Sequence, residues 1–256
     1  MARMAIEAGE ADVVLVPGFM QGARSWEPVL VRIGRRYRAH ALEHRAHDLE
    51  GRLVEIEAAT RRGAALVGYS LGGRLALRAA LRAADDPGRF GALVTLGATP
   101  GIEDARERAQ RRAADEELAT WVESSAIEDV VAYWERIPAL AGQVPELVVA
   151  QRADRLGHDP ARLAKLLRSA GQGVLKPVWD RLEALETPLL ALAGQRDPRY
   201  AAAAERMAAA APRSRCATIP DAGHAAHLER PDAFAAALLE FLDQHLGERR
   251  LVDGDA

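Results

Sequence analysis

The chain carries a single cysteine, Cys216. An internal disulfide framework is therefore excluded, and a packed core must hold the fold. No apolar run is long enough to span a bilayer without charge. The opening stretch, MARMAIEAGEADVVLVPG, lacks the basic-then-apolar order of a secretory signal. There is no basic block, and a net charge of −3 gives no electrostatic footprint for nucleic acid. Repeats, low-complexity linkers, a dinucleotide fingerprint and a metal-spaced ligand set are also missing. His40, His44 and His47 stand close together, but they read as a polar loop rather than a metal site. Lysine is rare: Lys165 and Lys176 are the only two among 34 basic residues. Arginine is thus common by composition, and one arginine alone marks no site. These absences lead to the expectation of a cytoplasmic protein with no cofactor, no metal, and no nucleic-acid or membrane partner.

What is present is ordinary for a globular protein: 49% hydrophobic and 28% charged residues. The 256 residues suit one α/β domain. Short apolar runs alternate with helical patterns. The runs read as strands at Asp12–Val16, Tyr37–Leu42, Ala64–Tyr69 and Phe90–Leu96. Helices are expected at Trp26–Ile33, Leu53–Arg62 and Gly72–Ala84. Such alternation predicts a mostly parallel sheet flanked by helices on both faces. From Pro100 to Thr187 only helical spacing is found, with Asp159-Pro160 as an N-cap and first-turn proline. This block predicts a helical lid inserted into the domain. The alternation then resumes with strands at Leu189–Ala193 and Arg215–Ile219 and helices at Tyr200–Ala210 and Pro231–His245. Leu251–Ala256 reads as a polar tail.

Gly68-Tyr69-Ser70-Leu71-Gly72 is a G-x-S-x-G pentapeptide. Chance alone gives such a pattern in roughly one chain in ten of this length, so its context decides. It lies between a buried strand and a helix, as a nucleophile elbow requires. The helix N-terminus beside Ser70 favours developing negative charge. A serine hydroxyl needs a histidine to take its proton, and the histidine needs a carboxylate to fix its tautomer. In this fold the chain order is Ser, then Asp or Glu, then His. Asp197 follows the LLALAG strand, and His224 follows the ATIP strand in Asp221-Ala222-Gly223-His224. Asp221 and Asp180 are rivals for the acid, and His227 for the base. Asp197 and His224 hold the better loop positions, and His227 reads as a packing residue. The oxyanion hole calls for two backbone N–H groups. Leu71 supplies one, and Phe19, in the loop Gly18-Phe19-Met20, the other.

Several stretches together resemble one family. They are GYSLGGRLAL, GATPGIEDARERAQRRAADEELA, Tyr133-Trp134-Glu135, GQGVLKPVWDRL and GHAAHLERPDAF. The resemblance, from about Val13 to Asp243, is to the MenH family of 2-succinyl-6-hydroxy-2,4-cyclohexadiene-1-carboxylate synthases of menaquinone biosynthesis, in the α/β-hydrolase superfamily. It implies an α/β-hydrolase fold and a lyase that eliminates pyruvate from 2-succinyl-5-enolpyruvyl-6-hydroxy-3-cyclohexene-1-carboxylate. That small substrate carries three carboxylates. The resemblance accordingly assigns Arg74, Arg111 and Arg155 to substrate binding, with Arg152 competing with Arg155. Tyr69 and Trp134 match pocket-wall aromatics. Two departures stand out. Pro17 replaces the family's histidine before Gly-Phe, which removes a side chain but no N–H from the hole. Glu43–Arg52 lacks the usual Gly-His-Gly character and is expected to bear on the pocket.

The same triad on the same fold also serves carboxylesterases and C–C bond hydrolases, and the fold does not choose between them. Three arginines in one pocket favour the lyase, since a neutral ester needs none. A non-catalytic ligand-binding relative could dispense with a triad member, and none is missing.

Overall fold

The computed structural model describes residues 12–34, 36–140 and 142–247. The expected polar tail Leu251–Ala256 lies outside the described residues. Six strands form one sheet: β1 (Val13–Val16), β2 (Ala39–Ala41), β3 (Ala65–Tyr69), β4 (Ala92–Leu96), β5 (Leu189–Gly194) and β6 (Ser214–Ile219). Their order is β2-β1-β3-β4-β5-β6, and every pairing is parallel. Reversal of strand order around β1 opens a crevice at the carboxyl ends of the central strands, where ligands bind in open α/β sheets.

Both sheet faces are covered, which explains why the central strands are apolar without alternation. Val14, Val16, Leu66, Leu93 and Leu189 point to one face. There they meet α2 (Leu49–Ala59), α3 (Leu71–Arg82) and α8 (Pro198–Ala210) through Ile56, Leu75 and Met207. Val13, Leu15, Val67, Val94 and Leu192 point to the other face. There Val29 and Ile33 of α1 (Glu27–Ile33) and Phe234, Leu238 and Phe241 of α10 (Pro231–His245) cover them. Each such buried side chain contributes about 1.5–3 kcal/mol relative to exposure. The edge strand β6 leaves Cys216 exposed.

Between β4 and β5 lie α4 (Ala105–Glu123), α5 (Ile127–Trp134), α6 (Pro145–Leu156), α7 (Pro160–Ala170) and a 3-10 turn, Trp179–Ala184. The first four helices form a cap with its own apolar centre of Val122, Val130, Val131, Leu163 and Leu167. Met20, from the loop after β1, inserts its buried side chain into that centre. The cap and the loop are thereby one packed unit.

Most boundaries shift by one to four residues from the sequence reading, and three of the shifts have a local cause or cost. α2 begins at Leu49 rather than Leu53, because Asp48 caps it by accepting from the Gly51 N–H at 2.9 Å. α8 begins at Pro198 rather than Tyr200, with proline in its first turn. β2 keeps only three residues of the expected Tyr37–Leu42.

Candidate active site

β3 runs straight into α3 through Ser70, whose φ is +50°. A non-glycine residue holds that conformation only where its surroundings enforce it. The turn is tight enough that its flanks admit no side chain. A Cβ on Gly68 would sit on the Gly72 carbonyl, and one on Gly72 would sit on the Val16 carbonyl. The Ser70 N–H is tied to the Leu96 carbonyl at 2.8 Å. The hydroxyl thus stands above the carboxyl ends of the central strands.

Asp197 follows β5, and His224 lies in the loop between β6 and α9 (Ala226–Glu229). His224 Nδ1 is 2.6 Å from Asp197 Oδ2, and His224 Nε2 is 3.1 Å from Ser70 Oγ. His224 is 8% exposed, so the relay is shielded yet reachable. Tyr69 and Tyr200 flank the imidazole, with ring centroids at 5.3 and 4.7 Å. Such a chain can move a proton from the hydroxyl to the ring while the carboxylate holds the tautomer. Neither Asp221 nor Asp180 lines the cavity at Ser70. His227 is fully buried among Trp26, Tyr69 and Phe234, and neither of its ring nitrogens has a hydrogen-bond partner.

The cavity above Ser70 has a volume of about 570 Å³. Its wall includes Phe19, Tyr69, Leu71, Arg74, Arg111, Trp134 and Arg155, besides the three relay residues. Phe19 leans on Trp134 of the cap, with centroids 5.1 Å apart. The backbone N–H groups of Phe19 and Leu71 make no hydrogen bond among the described residues. Gly18 keeps the loop against Tyr69, since a Cβ there would come 2.7 Å from the ring.

The three arginines are held differently. Among the described residues Arg74 hydrogen-bonds only the Ala170 carbonyl, at 3.5 Å, and burial holds its guanidinium below the ordinary value. No carboxylate among the described residues lies within salt-bridge distance of it. Arg111 donates to Asp115 at 2.7 Å and to Gln172 Oε1 at 2.9 Å. Arg155 is 2% exposed and lies 3.5 Å from Glu135 Oε1 and 3.0 Å from Gln151 Oε1. Its Nε and Nη1 make no hydrogen bond. Arg152 also pairs with Glu135 but does not line the cavity.

Other expectations need correction. Glu43–Arg52 contributes nothing to this cavity. His44, within it, binds Glu55 at 2.8 Å, and Glu43 accepts from the Ala23 N–H at 2.8 Å. Trp179, in the stretch GQGVLKPVWDRL, lines a neighbouring cavity, under the Arg206 guanidinium at 3.9 Å. Sequence reasoning missed Gln21, Gln172, Arg199 and Tyr200, all of which line the wall. Arg199 and Tyr200 had a signal, two and three residues beyond Asp197 at a helix start, and Gln172 lies in the GQGVLKPVWDRL stretch that carries the resemblance. Among the described residues, no group of three or more His, Cys, Asp or Glu is arranged to hold a metal ion. No helix of the described residues is long and apolar enough to cross a membrane.

Residues 13–237 match the model of the alpha/beta hydrolase family. A Bacillus subtilis relative assigned to 2-succinyl-6-hydroxy-2,4-cyclohexadiene-1-carboxylate synthase activity is 35% identical over 180 residues, covering 69% of this chain and 65% of that protein. The alignment thus spans a little under two thirds of that relative's length. The Salmonella paratyphi C enzyme of that name is 29% identical over 254 residues, covering 92% and 95%. The Salmonella paratyphi A enzyme is 34% identical over 177 residues, covering 69% and 67%. The structure of MenH from S. aureus superposes with a TM-score of 0.82 at 25% identity, covering 91% of this chain and 94% of that one. The chain therefore belongs to the α/β-hydrolase family, and within it to the MenH family.

Proposed function

We propose that the protein eliminates pyruvate from 2-succinyl-5-enolpyruvyl-6-hydroxy-3-cyclohexene-1-carboxylate, giving 2-succinyl-6-hydroxy-2,4-cyclohexadiene-1-carboxylate, the product for which its relatives are named. One observation carries this reading: Arg74, Arg111 and Arg155 converge on the same cavity as the Ser70–His224–Asp197 relay. Arg74 has no carboxylate partner among the described residues, and Arg111 and Arg155 each keep guanidinium nitrogens beyond their one acid, so the site holds more donors than its own carboxylates satisfy, which is costly for buried cations. A substrate bearing three carboxylates offsets that cost, and arginine suits carboxylate through its paired N–H donors.

In this reading His224 takes the Ser70 proton, and the Ser70 oxygen takes the ring proton at C2, next to the succinyl ketone. The ketone becomes an enolate whose oxygen lies toward the Phe19 and Leu71 N–H groups. Donors that suit a tetrahedral oxyanion also suit an enolate. Collapse of the enolate forms the C2–C3 double bond, shifts C3–C4 to C4–C5, and breaks the C5–oxygen bond. Enolpyruvate leaves, and the proton returns to its methylene carbon to give pyruvate. No ester is cleaved and no cofactor is consumed.

The test is direct turnover by purified protein, following the diene and pyruvate. The expected result is turnover by wild type and a loss of several orders of magnitude in folded Ser70→Ala. Rapid hydrolysis of a small neutral ester, with no diene formed, would overturn the lyase reading in favour of a hydrolase.

A further inference from the structure

The loop after β1 carries Phe19, yet almost nothing in the sheet domain pins its backbone. Among the described residues, the N–H groups of residues 18–22 make two hydrogen bonds. One is internal and long, from Gly18 to Gln21 Oε1 at 3.4 Å. The other leaves the loop: the Gly22 N–H donates to Asp154 Oδ2 at 2.9 Å. Asp154 lies on α6, in the cap, and is the residue before Arg155. A cavity of about 210 Å³, lined by Gln21, Ser25, Leu147 and Asp154, interrupts the packing between α6 and the 3-10 turn Ala23–Trp26. The apolar ties from loop to cap are the Met20 and Phe19 side chains, and at Gly22 beside this cavity the Asp154 carboxylate supplies the polar one.

The loop also needs holding. Met20 has a φ of +59°, a conformation costly for a residue with a side chain. The Gly22 carbonyl is fixed on the other side by the Ser25 hydroxyl at 2.7 Å. The neighbouring Ala23 N–H goes to Glu43. The loop is thus anchored at its exit, with Asp154 closing the strained stretch from Gly18 to Gly22.

We propose that Asp154 is a positioning residue that sets the Phe19 N–H for its place in the oxyanion hole. Through it, the helix that presents Arg155 to the cavity also holds the oxyanion loop. A substrate carboxylate held at Arg155 then steadies the donor that meets the developing enolate. The proposal rests on reading Ser70 and the Phe19 N–H as catalytic.

The test uses a fluorophosphonate probe, so that it does not depend on the lyase substrate. Ser70 Oγ displaces fluoride, His224 takes the hydroxyl proton, and the phosphoryl oxygen uses the same hole. Asp154→Ala should label about tenfold more slowly than wild type, short of the 10²–10³-fold cost of losing a donor outright. Asp154→Asn, which keeps an acceptor oxygen, should restore most of the rate. With the lyase substrate, kcat should fall while KM changes little. Hydrogen exchange in the peptide spanning residues 17–26 should quicken in Asp154→Ala alone. Asp154→Ser serves in its place if the alanine variant does not fold. Labelling and loop exchange at wild-type levels in the folded variant would overturn the proposal. Slowed labelling with no diene formed by wild type would support it while removing the lyase reading. If wild type takes no label at all, the Ser70 reading fails, and unchanged loop exchange alone rejects the tether.

Discussion

Gly97, the residue after β4, leaves no room for a side chain against His224. A Cβ on Gly97 would stand 2.9 Å from His224 Cε1, and its φ is +57°. Two costs fall on Gly97→Ala. The left-handed backbone costs roughly 1–2 kcal/mol, and the imidazole must move. A displacement near 1 Å costs about a hundredfold in rate. Gly97→Ala is expected to lower the melting temperature modestly and kcat by ten- to a hundredfold. An unchanged kcat would mean the imidazole has slack that this packing does not reveal.

Asp115 is 3% exposed and works in two directions. One oxygen accepts from Arg111 at 2.7 Å, and the other from the Gly173 N–H at 2.9 Å. It thereby fixes the Gly171–Gly173 loop that carries Gln172, Arg111's second partner. Charge-assisted bonds contribute roughly 1.5–3 kcal/mol each. Asp115→Ala is expected to destabilise the protein by about 2–3 kcal/mol and to raise KM for the anionic substrate. Denaturant unfolding and steady-state kinetics read the two effects separately. A stable variant with a normal KM would show that Asp115 neither secures the Gly171–Gly173 loop nor orients Arg111.

Much of this arrangement was legible because it is local. A strand, a glycine-flanked serine and a helix follow one another, so the elbow at Ser70 is written in consecutive residues. Asp197 and His224 likewise sit just past apolar runs. The cap could be read as helical, but its internal packing could not. Gln172 faces the cavity because the cap packs over the sheet domain there, and no period in the sequence marks which way its side chain turns. α2 starts four residues before the apolar run at Leu53, because the cap that begins it is a side-chain contact, from the Gly51 N–H to Asp48. The polar stretch at Glu43–Arg52 was drawn toward the pocket by its family position. Its carboxylate Glu43 instead secures the Ala23 N–H.

Two buried histidines make stability depend on acid. Burial pushes His227 down to about 3 and His44 down to about 4, against 6.5 in an unfolded chain. Above pH 6.5 both states are neutral at these rings. Below it, the unfolded chain binds protons that the native chain refuses until pH 3–4. Stability therefore falls with pH through this window, by up to about 1.4 kcal/mol per unit for each ring. His227→Phe, placed among the existing rings, should flatten the dependence between pH 4 and 6 by up to one such increment. The slope is the readout, so any packing change in absolute stability does not obscure it. An unaltered slope would show that His227 is protonated in the native state.

Arg74 gives the sharpest separation of substrate binding from folding. Among the described residues its guanidinium hydrogen-bonds one carbonyl, at 3.5 Å, and forms no ion pair with a carboxylate. Arg155, by contrast, shares Glu135 with Arg152, and Glu135 Oε1 has no hydrogen bond of its own. Removing Arg155 leaves a buried acid short of a partner; removing Arg74 leaves nothing stranded. Arg74→Ala should therefore melt at or slightly above the wild-type temperature, while Arg155→Ala melts lower. For catalysis, a lost charge-assisted contact of roughly 1.5–3 kcal/mol corresponds to a ten- to hundredfold fall in kcat/KM. Both variants should show that fall for the tricarboxylate substrate. Arg74→Lys should recover part of it, since the charge returns without the planar donor pair. A small neutral ester has no carboxylate to lose, so any slow hydrolysis should persist unchanged in Arg74→Ala. Equal losses on both substrates would mean that Arg74 shapes the Ser70 site itself, and its assignment to substrate carboxylate would fall.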